Sequence, residues 1–307
     1  MNYKKITIMA VGVALLFAAC KKEERPVATD DLKIPELFAP PENADPQVKS
    51  LYKDYGVWVR MDFNHWREVT NGILFNDVNN SRFGATKIDD DKRQEAITYS
   101  KTLLSNFSQK FVGVYFPLEL FFVKTYNGSV FATDLQVIGR SRIVLTWPNK
   151  MRGALTVTNP ETHYYRDSVL TRAVLSSIAG TIVQRMDNPI EGFEMAGKPY
   201  DNGVASDKIR DQFLIDRDMV KRDAAYDELA RTGGYITGPS SRSFASDFPQ
   251  WFTLMATESY ANIKKKYLDN NEMRTRKYEI LVKFFNSYGW DIQATGNKYR
   301  QELDKYK

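Results

Sequence analysis

The sequence has few of the residues that bind metal ions or form disulfides. Its 307 residues include one cysteine, Cys20, and two histidines, His65 and His163. A single cysteine cannot form an internal disulfide, so a disulfide-stabilised fold is excluded. A catalytic zinc ion takes three protein ligands from histidine, cysteine or carboxylate side chains. With so few histidines, any such site would have to depend mainly on carboxylates.

Long blocks of one charge are also missing. The chain carries 43 Lys and Arg against 38 Asp and Glu, and the formal net charge of +5 is spread along the sequence. A nucleic-acid-binding surface therefore has no support, and no internal repeat indicates a solenoid or propeller. With 43% hydrophobic and 13% aromatic residues, residues 48–307 can bury a full core, as one domain or as two closely packed lobes.

The N-terminus has the pattern of an export signal. Lys4 and Lys5 precede an apolar run over residues 6–19 that contains no acidic residue, which indicates a signal peptide over residues 1–19. The run is shorter than the roughly 20 apolar residues of a membrane-spanning helix. Its end, FAAC, resembles the lipobox of bacterial lipoproteins, so we expect cleavage before Cys20 and acylation of that residue, palmitate included. A buried thiol or an intermolecular disulfide is the alternative for Cys20.

The residues after Cys20 predict a surface tether. Residues 21–24, KKEE, resemble the export signal that sends lipoproteins to the outer leaflet of the outer membrane in Bacteroidetes-type bacteria; a solvated charged linker is the alternative. Five prolines among small and acidic residues follow before residue 47, and such composition favours a semi-extended spacer. We therefore expect residues 20–47 to tether a lipid-anchored protein that faces the cell surface.

The remaining sequence predicts an α+β fold. The clearest helix covers residues 167–185, where Leu170, Val174, Ile178 and Ile182 recur at intervals of four and must face the core. Residues 118–126 and 130–147 are rich in β-branched and aromatic residues, and Asn127-Gly128 between them predicts a hairpin in a small antiparallel or mixed sheet. Further helices are predicted over residues 48–58, 90–111, 207–231, 248–268 and 274–287, the first running into an extended arm at 59–63. Helices, then strands, then helices are typical of the α+β class.

Several of these features together resemble a known family. The lipoprotein signals, the Tyr52-x-x-Tyr55-Gly56 arm, the hairpin and the stretch LTRAVLSSIAGTIVQR from Leu170 resemble the zinc-binding metallopeptidase lipoproteins of Bacteroidetes. These are also called substrate import-associated zinc metallohydrolase lipoproteins, because they accompany outer-membrane glycan-import systems. The resemblance covers nearly the whole mature chain. It implies a gluzincin-like metallopeptidase fold over residues 48–307, with a small sheet and a mostly helical C-terminal half.

The catalytic motif of that family is substituted in this sequence. The family's long helix carries His-Glu-x-x-His, in which two histidines bind zinc and the glutamate polarises the metal-bound water. The same register here reads Ser176, Ser177, Ile178, Ala179 and Gly180. The third ligand of the family is a glutamate at the start of a later helix, where this chain has Gln250. The resemblance therefore implies that zinc, the cofactor of active relatives, has lost its ligands in this chain.

The resulting hypothesis is an inactive metallopeptidase homologue that serves as an accessory or binding component in glycan or nutrient import, with import proteins, a glycan or a peptide as partners. The alternatives are a working zinc hydrolase with unrecognised ligands and a purely structural lipoprotein.

His163 and Asp167 are one conceivable pair of replacement metal ligands, although Asp167 is better explained as an N-cap or first-turn residue. Gly180 is expected to permit close packing. The basic stretch Lys264-Lys265-Lys266 indicates a solvated helix face; the alternative is that it faces anionic surface polymers together with Lys277 and Lys283.

Overall fold

The computed structural model describes residues 38–70, 84–127, 134–152 and 163–304, with the backbone alone at 163–166. From Pro40 onward the described residues belong to one compact unit. The predicted signal peptide, Cys20 and most of the predicted tether lie outside the described residues. None of the described helices combines the length and the apolar character needed to cross a membrane.

The described elements follow the order helices, mixed sheet, helices, and this confirms the predicted α+β class. The helices and strands, in chain order, are α1 Pro46–Tyr55, β1 Trp58–Arg60, a 3₁₀ turn Trp66–Glu68, β2 Gly84–Lys87, α2 Asp90–Leu104, α3 Gln109–Tyr115, β3 Glu119–Asn127, β4 Leu135–Ile138, β5 Arg142–Thr146, α4 His163–Arg185, α5 Val204–Asp216, α6 Met219–Gly233, a 3₁₀ turn Gly238–Arg242, α7 Phe244–Thr257, α8 Tyr260–Ile263, a π-helical turn Lys264–Leu268, α9 Glu272–Ser287 and α10 Ile292–Asp304.

The helix predicted over residues 90–111 is two helices, because local side chains end one and start the next. Asn106 donates through Nδ2 to the carbonyl of Thr102 (2.9 Å), a bond that competes with continuation of the helix. Ser108 then accepts from the backbone N–H of Phe111 (3.1 Å), which is an N-cap. The chain therefore turns between Leu104 and Gln109, and α3 packs its own apolar face into the core.

β3 is the central strand of a five-stranded mixed sheet. β1 and β5 run parallel to its first half on opposite edges, so that Leu120 lies between Val59 and Ile143. β2 pairs antiparallel with the second half of β3, and β4 pairs antiparallel with β5. The predicted mixed sheet is confirmed. The predicted hairpin turn at Asn127-Gly128 extends outside the described residues, which end at Asn127 and resume at 134. A tight turn joins β4 to β5, where Gly139 has the positive φ of 56° that suits glycine.

The two faces of the sheet are covered by different groups of residues. Alternate side chains of a strand point to opposite faces, and the central strands are buried on both. Leu120, Phe122 and Leu145 join the main core with the helices. The other face forms a smaller cluster that contains Phe63, Val69, Phe121, Val123, Tyr126, Ile138 and Val144. Burial on both faces explains why these strands read as continuous apolar runs instead of alternating ones.

The C-terminal half is helical, and α4 lies against α7 within it. The four residues predicted to form the core face of α4 are all fully buried, which confirms that prediction. The helix predicted at 207–231 is interrupted at Arg217, which has φ 55°, and α6 restarts from an Asp218 cap. The helix predicted at 248–268 is likewise interrupted, since Ser259 caps a new turn. α10 was not predicted, because few of its residues are apolar.

Gly296 in α10 allows the helix to approach the end of α7. A Cβ atom at this position would lie 2.0 Å from the carbonyl oxygen of Met255 and 2.5 Å from that of Glu258. Both obstacles are backbone atoms, which cannot rotate away as a side chain can. Glycine is therefore required where these two helices cross.

Candidate functional site

The three predicted positions on α4 lie on its accessible side. Ser176 is exposed and Ser177 is half-buried. The Ser177 hydroxyl donates to the carbonyl of Ala173 (2.9 Å), a bond within the helix; a serine nucleophile would instead donate to a neighbouring base. A Cβ atom at Gly180 would meet no other heavy atom within 4 Å. The expectation that Gly180 permits close packing is therefore wrong, because the space beside it is open.

Gln250 lies on α7, the helix that packs against α4, and its side chain is exposed. With Ser176, Ser177 and Gly180 it completes the set of positions that the resemblance predicts for the metal ligands and the base. The two serines offer hydroxyls, Gly180 has no side chain, and Gln250 offers an amide. Zinc in proteins is bound by thiolate, imidazole or carboxylate, so the residues present do not fit a zinc ion.

The other residues considered as metal ligands have local roles or lie outside the description. His65 accepts through Nδ1 from the backbone N–H of Arg67 (3.2 Å) and caps a 3₁₀ turn. The side chain of His163 is outside the described residues. Among the residues that the structure describes, no three His, Cys, Asp or Glu side chains are grouped so that they could hold a metal ion.

Asp167 is neither an N-cap nor a first-turn residue, contrary to expectation. Helix α4 begins at His163, so Asp167 lies in its second turn. Its carboxylate accepts a hydrogen bond from Nε of Arg152, whose Nη1 donates to Glu95 (2.7 Å). The side chain of Arg152 is only 3% exposed. Asp167 thus belongs to a charged group that joins α2, α4 and the segment after β5.

A buried ion pair that no local sequence pattern predicts joins α7 and α9. Lys277 Nζ lies 2.6 Å from Asp247 Oδ2, and both side chains are 0% exposed. Tyr200 donates a hydrogen bond to the same carboxylate oxygen (3.0 Å). Lys277 Nζ also lies 4.6 Å from the ring centre of Tyr235 and 5.0 Å from that of Phe193, within the range of cation–π attraction.

Burial and charge pairing have opposite effects on the pKa values of Asp247 and Lys277. Burial raises the pKa of the Asp247 carboxyl, whereas the charge of Lys277 and the hydrogen bonds from Lys277 and Tyr200 lower it. Burial likewise lowers the pKa of the Lys277 ammonium, against the raising effect of Asp247. In both groups burial has the largest effect, because it penalises a charge removed from water. The pair is enclosed, so its chemistry is structural: it fixes α9 against the first turn of α7.

The basic residues do not form one surface. Lys264, Lys265, Lys266 and Lys283 are exposed, but Lys277 is fully buried. The alternative in which Lys277 faces anionic surface polymers is therefore wrong. No local pattern signals this, because its partner Asp247 is 30 residues earlier in the chain.

A second charged group fixes the 3₁₀ turn to the sheet. Arg142 on β5 contacts the carboxylate of Glu119 on β3, and both side chains are almost fully buried. Arg60 bridges Glu119 (3.4 Å) to Glu68 (2.5 Å). Burial alone would raise the pKa of Glu68, but backbone N–H groups of Asn64 and His65 together with Arg60 hold it below its usual value.

Three of the five tryptophans belong to the core. Trp147, Trp251 and Trp290 are at most 4% exposed, so their faces are covered by protein. Trp58 and Trp66 are half-buried, and Arg60 lies over the Trp58 ring at 4.7 Å.

Comparisons with known proteins give one structural likeness. No family model matches the chain, and no curated protein matches it. Among solved structures, the chain is similar to a protein of Bacteroides caccae described as a "putative zinc-binding metallo-peptidase". The two are 10% identical with a TM-score of 0.46, over 86% of this chain and 94% of the other.

Proposed function

We propose that this chain is a lipid-anchored lipoprotein of the outer membrane, facing the cell surface, with a metallopeptidase-like fold that has lost its metal site. In this role it serves as an accessory or binding component of a glycan or nutrient import system. One observation carries the proposal: Ser176, Ser177, Gly180 and Gln250 stand where the family motif requires two imidazoles, a base and a carboxylate. A helix with these residues cannot polarise a water molecule through zinc.

The packing of the helices supports the proposal, since the fold is held by its apolar core. α4 buries Leu170, Val174, Ile178 and Ile182 completely. Burial of apolar surface contributes about 25 cal/mol per Å², and a core that extends from α1 to α10 supplies that contribution without a metal ion. The four substituted positions lie on the accessible sides of their helices or beside open space, so their substitution leaves the core intact.

Metal content tests the proposal directly. The full-length protein, purified without chelators and dialysed against metal-free buffer, is expected to retain far less than one zinc per chain by inductively coupled plasma mass spectrometry. Stoichiometric zinc after dialysis would contradict the proposal and favour the alternative, a zinc-dependent hydrolase with non-standard ligands.

A reconstructed motif tests the assignment of the four positions. The combined variant Ser176→His, Ser177→Glu, Gly180→His and Gln250→Glu is expected to gain zinc affinity, because the open space at Gly180 accepts a larger side chain. The matched control keeps three of these changes but replaces Gly180→His with Gln184→His. Gln184 is exposed, and it lies two turns from Ser176, beyond chelating distance. If both variants bind zinc equally, or neither does, the four positions do not converge.

An array experiment separates a binding component from a structural lipoprotein. The purified full-length chain is applied to arrays of glycans and of peptides. Saturable binding to one class supports the binding role, whereas an absence of binding to either class supports the structural alternative.

A further inference from the structure

Helices α5 and α6 form a hairpin whose outer part is exposed. They are joined through Arg217, whose φ of 55° turns the chain, and Asp218, which caps α6. Their main contacts are with each other and with the 3₁₀ turn Gly238–Arg242. None of the described residues from 207 to 229 is buried, and this stretch continues for about 15 Å along each helix. The hairpin therefore projects from the part of the molecule that holds the core.

The end of this hairpin is apolar on both sides of its turn. Leu214 and Ile215 belong to the last turn of α5, and Met219 and Val220 begin α6. All four side chains are exposed, that of Ile215 by 77% and that of Val220 by 81%. Exposed apolar side chains that are scattered singly are normal, but a group of them marks an interaction surface. We call these four residues the hairpin tip.

The two acidic residues beside the hairpin tip stabilise its turn. Asp216 accepts a hydrogen bond through Oδ1 from the backbone N–H of Asp218 (3.1 Å), and its Oδ2 lies 3.3 Å from Lys221 Nζ. Asp218 accepts from the backbone N–H of Lys221 (2.9 Å). Both carboxylates therefore keep local partners when the hairpin tip meets another surface.

Basic side chains lie next to the hairpin tip. Arg217 and Arg222 lie over the Phe213 ring, at 6.0 and 4.7 Å from its centre. With Lys221 they give residues 214–222 three positive charges against two negative ones, a net charge of +1. An apolar surface bordered by Lys and Arg suits the interface of a bilayer. The apolar side chains enter the boundary of the acyl chains, and the long basic side chains reach the headgroups.

A bilayer suits the hairpin tip better than a second protein surface does. Four side chains at a narrow end are far fewer than the roughly 20–30 residues that each partner contributes to a stable protein interface. The lipid proposed on Cys20 also brings a bilayer within reach. Cys20 and Phe38, the first described residue, are 18 positions apart (38 minus 20), which is at most about 65 Å of extended chain. Because a tether raises the effective concentration of a second contact, even a weak one is populated.

We propose that the hairpin tip inserts into the interface of the bilayer to which the chain is anchored. Apolar surfaces of this kind enter the boundary between headgroups and acyl chains by about 5–10 Å. The inference rests on the lipid anchor proposed for Cys20 and adds a second contact with the membrane. Two contacts hold the anchored protein in one orientation relative to the bilayer, which a flexible tether alone does not.

Fluorescence at a single site tests the proposal. The full-length chain is reconstituted in vesicles of phosphatidylethanolamine and phosphatidylglycerol, with a nitrobenzoxadiazole probe on the thiol of Val220→Cys. The sequence has no cysteine besides Cys20, whose thiol is blocked when it is acylated. Nitroxide groups on the lipid acyl chains are expected to quench the probe strongly, and iodide in the buffer is expected to quench it weakly. Met195 is 84% exposed and lies outside the hairpin, so the same probe on Met195→Cys should show the reverse.

Charged variants make the test specific. Ile215→Glu with Met219→Glu, in the Val220→Cys chain, is expected to reduce quenching by the lipid nitroxide to the level of the control probe, because burial of a carboxylate away from water is unfavourable. Val169→Glu with Val204→Glu is the matched control, since both are exposed apolar residues outside the hairpin tip; it should leave the quenching unchanged. Thermal unfolding should be alike in all of these proteins, because exposed positions contribute little to stability.

The outcomes separate the hairpin tip from the anchor. Uptake of the probe by the wild-type chain would show a free thiol at Cys20 and contradict the anchor alone. The Val220→Cys measurement is then made in a Cys20→Ser chain with excess vesicles, where quenching by the lipid nitroxide still supports insertion and its absence overturns it.

Three results in the reconstituted protein would overturn the proposal. The first is a Val220 probe that the lipid nitroxide quenches no more than the Met195 probe. The second is equally strong quenching in the variant Ile215→Glu, Met219→Glu. The third is a Val220 probe shielded from iodide but not quenched by the lipid nitroxide, because the hairpin tip is then covered by protein.

Discussion

The buried pair of Lys277 and Asp247 gives the sharpest prediction about stability. In Lys277→Met the side chain is shorter by one atom and has no charge, so the carboxylate of Asp247 loses its counter-charge at 0% exposure. Tyr200 then remains as its hydrogen-bond donor among the described side chains. Removing one partner of a buried ion pair costs about 3–5 kcal/mol, a large share of the roughly 5–15 kcal/mol that stabilise a typical domain.

Protonation of Asp247 sets an upper limit to the stability that Lys277→Met loses. The buried Asp247 can take up a proton in the variant, and each pKa unit corresponds to 1.36 kcal/mol. With an unfolded-state pKa of about 3.9, neutralising the carboxyl costs about 4 kcal/mol at pH 7 and about 1.5 kcal/mol at pH 5. Because the folded-state pKa is raised, the variant loses stability as pH rises above 3.9. The difference from the wild type should therefore shrink by roughly 2–3 kcal/mol between pH 7 and pH 5.

Urea unfolding followed by tryptophan fluorescence measures the effect at both pH values. Lys283→Met on the same helix is the control; Lys283 is exposed, so a change within about 0.5 kcal/mol is expected. The double variant Lys277→Met, Asp247→Asn should recover most of the loss, because no buried charge remains. A loss below about 1 kcal/mol at pH 7, or one that is equal at pH 5, would refute the argument that the pair is enclosed.

Three further predictions follow from other sites. Gly180→Ala should stabilise the protein by about 0.5–1 kcal/mol, since the site is open and helical. Gly296→Ala should destabilise it by about 1–3 kcal/mol, because its Cβ atom collides with backbone atoms. Thermal unfolding measures both variants, and a Gly296→Ala variant more stable than Gly180→Ala would contradict these predictions. The lowered pKa of Glu68 contributes stability that is present above its unfolded-state pKa of roughly 4.3 and is lost as pH falls through the lower folded-state value. Glu68→Gln should therefore flatten acid unfolding below that pH, and an unchanged acid profile would count against this role. Cys20→Ser should abolish labelling by an alkyne analogue of palmitate in cells, and equal labelling of both proteins would exclude acylation at Cys20.

The local part of the fold could be predicted because it depends on neighbouring residues. The i+4 spacing of Leu170, Val174, Ile178 and Ile182 is a property of the sequence, and all four are buried as expected. Helix boundaries were less predictable. Ser108 and Ser259 act as caps because the adjacent chain turns there, and serine also occurs within helices.

The residue types at Ser176, Ser177, Gly180 and Gln250 are given by the sequence, and the loss of a metal site at these positions is implied by the family resemblance. Their surroundings were decided by the tertiary structure. Whether Gly180 touches a neighbour depends on what packs beside α4, and the structure shows open space there. A motif gives the types of side chains in a register, but it does not give the distance to other elements.

The sequence by itself determined the α+β class and the core face of α4, since each follows from periodicity or residue type within a short stretch. Only the tertiary structure decided the parallel pairing of β1 and β5 with β3 and the enclosure of Lys277 with Asp247. These features join residues that are tens of positions apart in the chain. The physical reason is that the burial of charged and polar groups, which sets the strength of their interactions, results from the packing of elements that are distant in the sequence.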